Sequence, residues 1–165
     1  MLKIIHKKLV RPVCRVLDFH SLKDVTEFLD FCQNEVFQMT EKTDMMYHAA
    51  LYIFKGYLGY GIFIKKSLIG YCVIKNPNTH PETTTVIAKK WRGNGFSIEI
   101  RNYAIRHAIE HGFLVGDTIF SATHISNTPS LRSILRSGYV VDRLTEYDSQ
   151  IHFIYKIKEH KCRIM

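Results

Sequence analysis

The run Lys89-Lys90-Trp91-Arg92-Gly93-Asn94-Gly95-Phe96-Ser97 combines residue types and spacing suited to chemistry. A β-branched apolar stretch over 83–88 precedes it, and a helical pattern over 97–111 follows. The first N–H groups of a helix have no intrahelical acceptor and sit at the positive end of its dipole. A strand that turns through glycine into a helix therefore suits a phosphate. Gly93 and Gly95 permit unusual φ values and keep side chains away, so amide donors can approach a pyrophosphate. The spacing is neither that of a P-loop nor that of the dinucleotide fingerprint, because the final Gly and the Lys-Ser/Thr pair are missing. Alone, such glycines also describe a plain tight turn. His107 and His111 stand four apart on the helical pattern, a metal-ligand spacing. No third ligand cluster accompanies them, a polar helix face accounts for the pair, and no metal is expected.

The elements that must position this turn follow from hydrophobic periodicity. Residues 10–19 alternate as a first strand. Ser21-Leu22-Lys23-Asp24 resembles a capping box and opens a helix carrying Leu22, Val25, Phe28, Leu29 and Cys32 at helical spacing. Residues 44–54 read as a second helix. Residues 57–65 and 68–76 form a hairpin turning at Lys65-Lys66-Ser67. Asn76-Pro77-Asn78-Thr79-His80-Pro81 is loop chemistry. The long helix stops at Gly112, a strand spans 117–123, and Asn127-Thr128-Pro129 caps a short helix that ends near Ser137-Gly138. Residues 139–143 and 151–158 are the last strands. The order β-α-α-β-β-β-α-β-α-β-β predicts an α/β (α+β) fold, a mixed sheet with helices on both faces.

With 165 residues, 46% hydrophobic and 23% charged, one domain over 1–165 is expected. No apolar run is long enough for a transmembrane helix. The start has no sustained apolar region, so a secretory signal is not expected. Four scattered cysteines without a CxxC fit reduced thiols in a cytoplasmic chain. The net charge of +8 suits an anionic partner. The basic residues are spread along the chain rather than grouped, which favours a solvated basic surface over a nucleic-acid partner. Cys162-Arg163-Ile164-Met165, behind Lys156, Lys158 and Lys161, has the outline of a prenylation box that would attach the chain to a membrane. Arg163 is a poor second residue, and a coincidental match in a basic tail is the plainer reading.

This order and these motifs resemble the GNAT superfamily of acyl-CoA-dependent N-acyltransferases. Arg92-Gly93-Asn94-Gly95-Phe96-Ser97 is similar to the superfamily's Gln/Arg-x-x-Gly-x-Gly/Ala cofactor motif, with Ser97 at the last small position and Trp91 as the preceding aromatic. Asn127, the helix after it and Gly138-Tyr139 match a second motif, in a style closest to N-terminal protein acetyltransferases. The resemblance covers residues 57–143 well and the N-terminal part by element order. It implies a mostly antiparallel sheet of six or seven strands whose fourth and fifth splay apart. It also implies acetyl-CoA, or another acyl-CoA, as co-substrate, held by the backbone of Thr85, Val86 and Ile87, by Arg92 to Ser97 and by Asn127.

The implied reaction is attack of a primary amine on the thioester in a ternary complex, with a small molecule or protein as acceptor. The amine must lose a proton. Glu82, at the start of the fourth strand, and His124, at the end of the fifth, are the two candidate bases; each also reads as an ordinary polar residue. The amide of Ile87 would hold the oxyanion. A Tyr in the last helix often protonates the leaving sulfur in this superfamily, but Ile134 occupies that position here. Ser130 either donates to sulfur or merely caps its helix. Glu35, Glu41 and Asp44 stand where the acceptor site is usually shaped. Transfer to a hydroxyl, a CoA-binding module without turnover and a basic RNA-binding protein are the alternatives. The chain is expected to be a monomer or homodimer.

Overall fold

The structure is a computed structural model and describes residues 11–35 and 55–158. The expected helix over 44–54, Glu41, Asp44 and the C-terminal Cys162 lie outside the described residues. Alternating β-branched and aromatic residues give strands β1 (Val13–Leu17), β2 (Leu58–Ile64), β3 (Ser67–Lys75), β4 (Glu82–Ile87), β5 (Thr118–His124), β6 (Val140–Thr145) and β7 (Gln150–Lys156). The helices are α1 (Leu22–Glu35), α2 (Phe96–Glu110) and α3 (Thr128–Arg136). A short 3-10 turn, Lys89–Trp91, lies between β4 and the glycines and was not read from sequence.

The strands form one seven-stranded sheet in the order β1-β2-β3-β4-β5-β7-β6. Among the described residues only β4 and β5 are parallel neighbours; every other pair is antiparallel. The mixed, mostly antiparallel sheet expected from the motif order is therefore present. Lys65 and Lys66 take φ of 48° and 69° at the β2–β3 turn, the left-handed geometry a two-residue hairpin needs.

Pleating sends alternate side chains to opposite faces. On one face Phe28, Phe31 and Cys32 of α1 pack on Phe63, Tyr71 and Val73. On the other, Ile100, Ala104 and Ala108 of α2 pack on Tyr60, Ile62, Cys72, Ile74 and Ile87, the alanines letting the helix lie close. Ile134 of α3 joins Ile105, Ile119, Tyr139 and Phe153 on this second face. The capping-box reading needs one correction. Asp24 does not reach back to cap α1. Its carboxylate takes two 2.9 Å bonds from Arg15 and one of 2.8 Å from the Asp18 amide, tying α1 to β1.

Candidate functional site

The two edges of β4 differ. It pairs with β3 from Glu82↔Lys75 to Ile87↔Gly70, but with β5 only at Glu82↔Phe120. The Ala88 amide donates to the Ile69 carbonyl at 2.8 Å. An antiparallel ladder alternates, so Glu82, Thr84 and Val86 turn their backbone groups to β3, and Thr83, Thr85 and Ile87 turn theirs to β5. The contacts agree. Thr83 O accepts from Ser121 Oγ at 3.2 Å, and Ile87 O accepts from Arg92 Nε at 2.9 Å. Past the vertex, where the Phe120 amide meets the Pro81 carbonyl at 2.8 Å, the strands part. Thr85 and Ile87 face the opening. Val86 differs from expectation: its N–H and C=O point to β3, and its side chain packs toward α1.

The glycine turn closes the mouth of this opening. Gly93 and Gly95 take φ of 78° and 79°, a region in which side chains are strained, and Gly95 is the N-cap of α2. The Asn94 side chain donates to the carbonyls of Trp91 and Arg92, which fixes the turn. Among the described residues no acceptor meets the amides of Gly93 to Ile98; the first bond of α2 runs from Glu99 N to Gly95 O at 3.2 Å. A row of free amides at a helix N-terminus, with Arg92 and Lys90 beside it, is an anion site in its donor chemistry. Phe96 packs 6.4 Å from Trp91, and Ser97 Oγ lies 2.6 Å from Ser133 Oγ of α3.

Glu82 is half-buried at the vertex and shares a strand face with Val86, away from α2. His124 is exposed at the far end of β5, with Nδ1 2.7 Å from Ser126 Oγ. Four residues separate Phe120, which pairs with Glu82, from His124, so the two candidate bases are about 13 Å apart along the strand. The Asn127 side chain accepts from the Ser130 amide at 3.3 Å. Asn127 is thus the cap of α3, and the capping role considered for the Ser130 side chain is not the one found. Glu35, at the end of α1, accepts from the Lys89 amide at 3.0 Å.

Sequence reasoning missed a polar cluster beneath the vertex. Tyr139 is buried with its hydroxyl 2.7 Å from Thr83 Oγ1, and burial raises its pKa well above the usual phenol range. Arg101, on α2, is 3% exposed and donates to Ser133 Oγ at 2.9 Å and Ser137 Oγ at 2.8 Å. Ile134 is 2% exposed in the core, so it presents no group to the opening. Of two cavities of about 350 and 330 Å³, one lies between β1–β2 and the end of α2, and the other between α1, the β3 start and Ala88, Lys90 and Trp91, next to the glycine turn. His107 and His111 stack at 3.9 Å, and no metal-holding group of three or more His, Cys, Asp or Glu is found among the described residues.

A family model for the acetyltransferase (GNAT) domain matches residues 14–140, more than half of the chain. The chain belongs to this family. Its co-substrate is an acyl-CoA, and its activity is acyl transfer to an amine. Solved GNAT-like structures share the fold. A chimera of the spermidine N-acetyltransferase SpeG from Vibrio cholerae and hSSAT is 17% identical, with 88% of this chain and 95% of that one covered, at TM-score 0.68. The N-acetyltransferase PseH from Campylobacter jejuni is 12% identical, with 89% and 99% covered, at 0.65. No curated protein matches by sequence. Among the described residues no helix is long and apolar enough to cross a membrane.

Proposed function

We propose that this GNAT protein, acting as one domain over 1–165 in the cytoplasm, moves an acetyl group from acetyl-CoA to a primary amine by direct attack in a ternary complex. The observation that carries this reading is the row of amides from Gly93 to Ile98, unbonded among the described residues, at the mouth of the β4–β5 opening. These amides and Arg92 grip the pyrophosphate. Thr85 and Ile87 bond the pantetheine arm, with the Ile87 amide facing the oxyanion, and Asn127 bounds the opposite wall. Arg92 is already held on the Ile87 carbonyl, which pre-organises its charge at the mouth.

Glu82 is the better-placed base. It stands at the vertex, where the arm's sulfur end arrives, whereas His124 lies about 13 Å away and is engaged with Ser126. Ser130, in the first turn of α3, is the candidate hydroxyl donor to the sulfur. The acceptor is an amine of a small molecule or a protein.

The test is calorimetric titration of the wild type and of Gly95→Glu and Gly95→Asn with acetyl-CoA. A carboxylate at 95 blocks and repels the phosphates, and Asn tolerates left-handed φ. Losing two or more charge-assisted amide bonds, about 1.5–3 kcal/mol each, predicts a drop of at least about 100-fold for Glu. Asn is expected to retain binding. Equal affinity in wild type and Gly95→Glu would remove the cradle from the site.

A further inference from the structure

Among the described residues Arg101 is a buried cation with no anion. The residue is buried, and its only side-chain partners among the described residues are the hydroxyls of Ser133 and Ser137. Among the described residues no carboxylate pairs with it. Those hydroxyls are themselves committed, Ser133 to Ser97 and Ser137 to the Ser133 carbonyl. Among the described residues Arg101 Nε is buried without an acceptor. The remaining neighbours are neutral. Cys72, the register partner of Thr85, and Tyr139, bonded to Thr83, are both kept protonated by burial. An unpaired buried charge costs several kcal/mol, and arginine does not shed its proton to escape that cost. A charge kept in this way marks a site completed by an anion from outside the chain.

The location limits what that anion is. Arg101 is an electrostatic neighbour of Cys72, the register partner of Thr85, and of Tyr139, which bonds Thr83, close to where β4 and β5 part. In the acyltransferase reading, on which this step rests, the phosphates sit at the α2 mouth and the arm runs past Ile87 and Thr85. Its sulfur then lies at the vertex. We propose that Arg101 is a catalytic residue that contacts the departing sulfur and stabilises the CoA thiolate by charge, without donating a proton. The amine nitrogen bonds to the thioester carbon and loses its proton to Glu82. The carbon–sulfur bond then breaks with its electron pair on sulfur. Arg101 keeps all its protons and hydrogen-bonds the thiolate, which is protonated by solvent after release. Ile134 is apolar and the Tyr139 hydroxyl is tied to Thr83, so neither supplies a proton, and charge stabilisation by Arg101 does not require one from Ser130.

The test uses the full-length chain and free CoA. Calorimetry establishes binding, and thiolate absorbance is then titrated for wild type, Arg101→Leu, Arg101→Gln and Arg101→Lys. The α2 dipole also favours a thiolate, so the difference between proteins is the readout. The bound thiol is expected to titrate at least about one unit lower in wild type than in Arg101→Leu, a tenfold shift in its equilibrium. Arg101→Lys is expected to recover most of that shift. Turnover in Arg101→Leu should fall about 100-fold, with acetyl-CoA affinity changed by less than about threefold. Arg101→Gln, a polar replacement, gives the same comparison if the leucine variant fails to fold. CoA that binds with the same thiol titration in wild type and the neutral variants overturns this inference alone. Wild type that binds no CoA overturns the acyltransferase reading and this step with it. An unchanged thiol together with selective loss of succinyl-CoA binding assigns the guanidinium to a carboxylate on the acyl group, and also overturns it.

Discussion

The two edges of β4 are built from the same six residues and behave oppositely. Toward β3 the ladder is continuous, and its side chains merge into apolar cores on both faces. Toward β5 the ladder stops after one pair, and hydroxyls replace hydrocarbon: Thr83, Thr85, Ser121 and Tyr139. An unpaired strand edge inside a protein is costly unless something else bonds it. The difference teaches that the opening is held from below. Ser121 and Tyr139 fix Thr83 at the vertex, and α2 and α3 are pinned to each other through Ser97, Ser133 and Arg101. The closed edge supplies rigidity, and the open edge supplies the backbone groups that a GNAT protein offers its acyl-CoA.

The largest expected effect separates the vertex from the far end of the opening. Glu82→Gln should lower kcat by about 100- to 1,000-fold with acetyl-CoA affinity intact, because it removes the base at the point of attack. His124→Ala, about 13 Å along β5, should change kcat by less than about threefold. Stopped-flow measurement of CoA release with a saturating amine decides between them. The reverse ranking would move the chemistry from the vertex to the mouth.

Much of this contrast was legible in the sequence, for physical reasons that also set the limit. Gly93 and Gly95 were readable because a left-handed turn into a helix leaves few alternatives, and both take φ near 80°. Alternation placed Thr83, Thr85 and Ile87 on one strand. It does not say which backbone groups face which neighbour, since that depends on register with β3, and by that register Val86 belongs to the closed edge. Arg101 was invisible because one arginine in a basic chain reads as surface. The available signal was its place four residues before Ile105, on the inward side of a helix whose neighbours Ile100 and Ala104 are core. Asn127 reads as a cap and is one.

A smaller effect tests whether the vertex is held from below. Tyr139→Phe deletes the phenol hydroxyl and leaves Thr83 Oγ1 buried without its partner. The expected loss is about 1–3 kcal/mol in urea unfolding, with most of it recovered in the Tyr139→Phe, Thr83→Val double variant, where neither hydroxyl is stranded. Equal losses in the single and double variants would show that the bond does not secure the junction.

The smallest effect belongs to the closed side of the molecule and serves as the contrast. Asp24 is buried, and the Arg15 guanidinium and the Asp18 amide hold its carboxyl below the usual range. Arg15 is 41% exposed, so water weakens the pair, and Asp24→Asn should cost only about 1 kcal/mol. The folded-state pKa lies below the unfolded value of about 3.9. The stabilisation is therefore fully present well above pH 3.9 and is lost as pH falls through the depressed folded value. Wild-type and Asp24→Asn stability curves should run parallel near neutrality and converge in acid, while acetyl-CoA affinity at neutral pH stays the same in both. Curves that fail to converge would mean the carboxylate charge does not fasten α1 to β1. A change in acetyl-CoA affinity would mean that the α1 face and the open edge are coupled rather than separate.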